Sequence, residues 1–206
     1  MEDNLPYVER IYMEKKISII AILTVVVYFI SVGGFLITQT EIALTIWEMM
    51  TIISGPVVFM VLLEFSHYFG TPDILRRAMT GFMSCVCALT GGAHIVNITV
   101  TRRLMSEGID VPFYYQIGQW PSVEMAIDYL AWGFCMGLAF LCISIAKSNR
   151  EETKGMQIIA LIDGILCLVG FAGALCINEN MWYVAPMGYG LGLLVLCAMR
   201  LRVKER

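Results

Sequence analysis

Six stretches of this chain are apolar enough and long enough to cross a bilayer, and together they take up well over half of its 206 residues. The first, Ile17 to Ile37, contains no charged residue, and about 20 apolar residues suffice for an α-helix to cross ~30 Å of hydrocarbon. The others run from Ala43 to Phe69, Ala78 to Val100, Ser122 to Ala146, Met156 to Cys176 and Trp182 to Met199. A mean hydropathy of +0.74 and a charged fraction of 15% agree with this reading, since soluble domains carry about 25% charged residues. The expected fold class is all-α: one transmembrane domain over residues 1–206, an integral membrane bundle of six helices whose first partner is the lipid bilayer.

Orientation follows from the Lys and Arg residues, because cytoplasmic loops carry the excess of positive charge. With the N-terminus inside, all 14 except Arg102 and Arg103 fall on cytoplasmic segments, so the N- and C-termini are both expected in the cytoplasm. Lys15 and Lys16 precede the first span as they would a signal peptide. Its apolar run is longer than the usual ~7 to 15 residues of such a segment and no A-x-A site follows, so it reads as a retained helix.

Several function classes lose support on composition. A net charge of −3 and no cluster of Lys and Arg leave no surface for nucleic acid. The seven cysteines fall inside or at the edge of the spans and are odd in number, which argues against a disulfide framework. Cys85 and Cys87 are two residues apart and diverge on a helix, so they are poor joint metal ligands. Asn97-Ile98-Thr99 matches a glycosylation acceptor but sits inside a span, and no GxSxG-like context supports a serine hydrolase. No internal repeat stands out. Gly170, Ala172, Gly173 and Ala174, then Gly188, Gly190 and Gly192, form small-residue surfaces that let helices approach closely. They serve either within the subunit or in a homo-oligomer.

Ionisable side chains at membrane depth are costly unless paired or hydrated, and so mark candidate sites. Glu48, His94, Asn97, Glu124 and Asp128 fall at one level in the outer half of the bundle. Glu124 and Asp128 are i, i+4 on one helix face, with Trp132 one turn deeper; two carboxylates there repel unless a cation, a His or a proton joins them. His94 and Asn97 follow Gly91 and Gly92, which allow a close approach. A purely structural alternative pairs Arg102 or Arg103 with Glu124 or Asp128. Glu64, His67 and Asp163 make a possible inner polar group, provided the second and fifth spans are neighbours; otherwise Glu64 pairs with Arg76 or Arg77 near its helix end. Between Thr101 and Pro121, Phe113, Tyr114, Tyr115 and Trp120 read as an interfacial aromatic belt or as a lid over the outer group.

The segments Gly91-Gly92-Ala93-His94-Ile95-Val96-Asn97-Ile98-Thr99-Val100 and Trp120-Pro121-Ser122-Val123-Glu124-Met125-Ala126-Ile127-Asp128-Tyr129-Leu130-Ala131-Trp132-Gly133 resemble a pattern in a family of uncharacterised small multi-pass bacterial membrane proteins. That resemblance implies a bacterial cytoplasmic (plasma) membrane location and brings no activity with it. The expectation for function is binding or transport of a small cationic molecule or ion, with ligand-binding residues Glu48, His94, Asn97, Glu124, Asp128 and Trp132; Trp132 would supply a cation–π face. One alternative is a membrane-embedded metal-dependent enzyme built on His94, disfavoured because only two His are present and HExxH is absent. Another is a structural or assembly subunit with no ligand. The sequence names no cofactor.

Overall fold

A computed structural model describes residues 7–146 and 151–203, and among these there is helix, turn and link but no strand. Six of the described helices are long and apolar enough to cross a membrane: α1 (Tyr7–Thr38), α2 (Glu41–Tyr68), α3 (Asp73–Ser106), α4 (Val123–Ser144), α5 (Glu151–Cys176) and α6 (Glu179–Arg202). The polar residues between the apolar runs set the helix starts by accepting from otherwise orphaned N–H groups. The Thr40 side chain accepts from Ala43 N at 3.3 Å, that of Ser122 from Met125 N at 3.2 Å, and that of Asn178 from Asn180 N at 2.8 Å.

α3 departs most from the expected bounds. It begins at Asp73 rather than Ala78, because Pro72, with φ −54°, leads into the first turn and Asp73 places an acidic group there, both favourable at a helix start. Pro72 therefore starts a helix where the sequence reading had a loop through Arg77. At its other end α3 continues through a π-helical turn, Asn97–Thr101, to Ser106. Two more π-helical turns occur at Leu130–Cys135 of α4 and Met187–Gly192 of α6.

Each helix packs on its neighbours in sequence, and α6 closes the ring against α1. The ring has a tail end, with the first residues of α1 and the last of α6, and a loop end carrying residues 107–122. α4 is the most enclosed span, 61% buried against 17% for α1. Its tail-side half meets Val61, Leu62, Phe65, Met79 and Met83 in an apolar core with Met136, Phe140 and Ile143. Leu23, Ile30, Ile53, Ile158 and Val195 remain exposed on the flanks, leaving an apolar outer surface. Of the basic residues counted for orientation, Lys147, Arg150, Lys204 and Arg206 lie outside the described residues, as does the side chain of Arg10.

Small residues let α5 approach both its neighbours. A Cβ on Gly164 would stand 2.9 Å from the carbonyl oxygen of Gly137 on α4, and one on Gly188 would stand 2.6 Å from the carbonyl oxygen of Asp163. Gly170 and Gly173 face Ala185 and Met181 of α6, and Gly190 faces Phe29 of α1. These surfaces are thus used within the subunit. Gly164→Leu is expected to lower stability by about 1–3 kcal/mol, the usual cost of overpacking, read as a lower Tm in detergent. An unchanged Tm would mean that α4 and α5 are not in contact there.

Candidate functional site

The polar residues of α2, α3 and α4 meet at the loop-side half, above the apolar core. Glu48 and His94 are buried, 1% and 5% exposed, and the Asp128 side chain is nearly so. The His94 ring lies between the two carboxylates: Nδ1 is 3.6 Å from Glu48 Oε1 and Nε2 is 3.8 Å from Asp128 Oδ1. Those separations suit electrostatic attraction and exceed hydrogen-bond length. Neither ring nitrogen has a hydrogen-bond partner among the described residues.

Each carboxylate is held from its far side. Asn97 Nδ2 donates to Glu48 Oε1, and Arg102 Nη2 stands 2.9 Å from Glu48 Oε2. Arg102 is itself positioned by Nη1, which donates to Thr45 Oγ1 at 2.9 Å. Thr90 Oγ1 donates to Asp128 Oδ1 at 3.2 Å. The helices that contribute Asn97 and Asp128 carry π-helical turns at or just beyond those residues, and Tyr189 sits in the third. π-turns are common where a helix is reshaped around a functional group.

Of the residues singled out in the sequence, Glu48, His94, Asn97 and Asp128 therefore come together. Glu124 is buried on the same face of α4, one turn toward the loop end, with Oε2 lacking a hydrogen-bond partner among the described residues. Trp132 packs on Tyr189, ring centres 4.8 Å apart, so one face is occupied by an aromatic ring. The expected pairing of Arg102 with Glu124 or Asp128 is replaced by Arg102 with Glu48, while Arg103 pairs with Glu107 on the surface. Over the site, Thr101 Oγ1 donates to the Tyr115 carbonyl at 3.5 Å, and Trp120 stacks on Tyr129, which stacks on Trp182. Phe113, Tyr114 and Tyr115 are about half exposed.

The three inner residues occupy different surroundings. Glu64 is bound by Arg200, whose Nε donates to Oε1 at 3.1 Å and whose guanidinium lies 4.0 Å over the Tyr68 ring. His67 is exposed. Asp163 is buried halfway along the 26-residue α5, against the glycines of α6. Sequence reasoning gave Glu64 to Arg76 or Arg77 and missed Arg200, whose place in the last turn of an apolar run was its one signal. Thr90 was missed because a lone Thr on an apolar helix is ordinary.

Glu48 and Asp128 face opposite edges of the His94 imidazole, so the three do not converge on one point. Among the described residues no three His, Cys, Asp or Glu side chains form a group that could hold a metal ion. What the arrangement can do is bind positive charge. A neutral imidazole offers one N–H to two flanking acceptors, whereas a doubly protonated ring offers one to each. Arg102 balances one carboxylate and leaves the other without a fixed cation. Neither a known protein family, nor a curated protein, nor a solved structure matches the chain.

Proposed function

We propose that this chain is a multi-pass protein of the bacterial cytoplasmic membrane, with both termini in the cytoplasm, that binds or transports a small cation through the site in its outer half. The observation that carries the reading is the His94 ring held between two carboxylates of different helices, with a single arginine beside them. In a low-dielectric site the remaining negative charge calls for a positive occupant, either a proton on His94 or a small cation beside Asp128. The 107–122 segment meets the end of α3 through Thr101, which donates to the Tyr115 carbonyl. Glu124, buried one turn toward the loop end, adds a further acidic group on the same face of α4, and Trp132, one turn deeper, is held by its contact with Tyr189.

Small monovalent cations added to the purified protein in lipid nanodiscs should raise its Tm, as any occupant of the folded state does. Asp128→Asn should weaken that binding by about tenfold or more, equivalent to ~1.4 kcal/mol or above, while the fold survives. Binding that is unchanged in Asp128→Asn would contradict the proposal. A structural role alone has one observation in its favour, the close pairing of Glu48 with both Asn97 and Arg102. It would give no cation-dependent Tm in the wild type.

The orientation has its own test. Reporter fusions after Arg206 and at Ser106 should read cytoplasmic and external respectively, and the opposite result at either place would overturn it.

A further inference from the structure

Asp163 is 2% exposed and stands in the middle of α5. Its carboxyl lies against the backbone of Gly192, in the space a side chain there would fill: a Cβ on Gly192 would overlap the carboxyl oxygens. Oδ2 has no hydrogen-bond partner among the described residues. The groups against it are uncharged: on α5 itself Cys167 one turn on, and on α6 Gly188 and Gly192. No Lys, Arg or His of the described residues pairs with it, in contrast to Glu48 and Glu64, each of which has an arginine.

An ionised carboxylate so placed would be an isolated charge in a medium that cannot solvate it. The fold nevertheless makes room for this one, with Gly192 opposite it at the end of the π-helical turn Met187–Gly192. We propose that Asp163 is an exchangeable binding site for a monovalent cation, a proton or Na⁺, at mid-depth between α5 and α6.

Beside Asp163, the Cys167 thiol donates to the Ala185 carbonyl of α6 at 3.8 Å, so the neighbouring polar group has its own partner. The Asp163 site itself stands on its own surroundings.

A membrane-soluble carbodiimide tests it, because the reagent adds to a protonated carboxyl in apolar surroundings and leaves a stable N-acylurea. The full-length protein in lipid is labelled from mildly acidic to mildly alkaline pH, with Na⁺ or a bulky organic cation as counterion, and digested for mass spectrometry. The expected result is a shift of the Asp163 peptide by the mass of one reagent, with labelling faster at lower pH. Slowing by Na⁺ but not by the bulky cation assigns Na⁺; indifference to Na⁺ assigns the proton. Asp163→Asn, which imitates the neutral occupied carboxyl, should keep the wild-type Tm. An unlabelled Asp163 at every pH, or a clear fall of Tm in Asp163→Asn, overturns the proposal. The same labelling in Asp128→Asn separates the two sites: an adduct on Asp163 there, with no cation binding at His94 in the wild type, would keep this site and reject the outer one.

Discussion

Arg200→Met is expected to destabilise the protein by about 3–5 kcal/mol, the usual cost of removing one member of a buried ion pair. Arg200 is 0% exposed near the tail end of α6, donates to Glu64 of α2 at 3.1 Å and covers the Tyr68 ring. α2 and α6 are not consecutive in the ring, so this contact crosses the bundle. Methionine keeps much of the volume and removes the charge, the donor and the cation–π contact together. The check is the midpoint of thermal unfolding in detergent for Arg200→Met, Glu64→Gln and the double variant. The double variant should recover part of the loss, because a neutral pair leaves no charge to compensate. A wild-type midpoint in Arg200→Met would mean that the pair contributes nothing to the fold.

Arg102→Met should produce two effects of opposite sign. Stability should fall by a similar amount, about 3 kcal/mol, because Glu48 is 1% exposed and loses the guanidinium 2.9 Å from Oε2. Affinity for a small cation should rise, since the site then holds two carboxylates with no fixed positive charge, and an occupant recovers part of what the arginine supplied. Melting curves with and without added small cation measure both: a lower baseline Tm and a larger cation-dependent rise than in the wild type. A lower Tm with no gain in cation response would assign Arg102 and Glu48 to structure alone. Asn97 and Thr45 are the internal controls, since neither carries charge.

The helices were legible because each apolar run is long and broken by few charged residues, and because capping residues such as Thr40, Ser122 and Asn178 mark where several of them start. The start of α3 was not, because Asp73 to Arg77 is charged enough to resemble a loop; only the position of Pro72 just ahead of Asp73 favoured a helix. Depth could be read for Glu48, His94, Asn97 and Asp128, since distance along a helix fixes height in the bundle, and four groups at one height on three helices did prove to be neighbours. Rotation about each helix axis could not be read so well. Glu124 and Trp132 share the face of Asp128, yet Trp132 turns to Tyr189 of a helix that depth alone gave no reason to place beside it.

Partner choice was the least legible feature. Arg102 could reach any of three carboxylates at the loop end, and the sequence spacing favoured the helix that follows it over Glu48 on the helix before. A seventh-turn arginine such as Arg200 counted toward orientation but carried no sign that it would be buried. The π-helical turns left no mark at all, since they depend on how residues 97–101, 130–135 and 187–192 pack rather than on their composition. Asp163 was placed in an inner group with Glu64 and His67 by approximate depth; its position halfway along α5, opposite Gly192, sets it apart from both.

The most direct test of the central claim, that the outer site holds an exchangeable positive charge, is the ¹⁵N spectrum of His94 in lipid bilayers, with His67 replaced by Gln to leave one imidazole. With only a bulky organic counterion present, the two ring nitrogens give the reference spectrum. A saturating small cation should shift both resonances, and Asp128→Asn should abolish that response. Ring resonances that are indifferent to small cations in the wild type and in Asp128→Asn alike would contradict the claim and leave His94 as a packing residue between two helices.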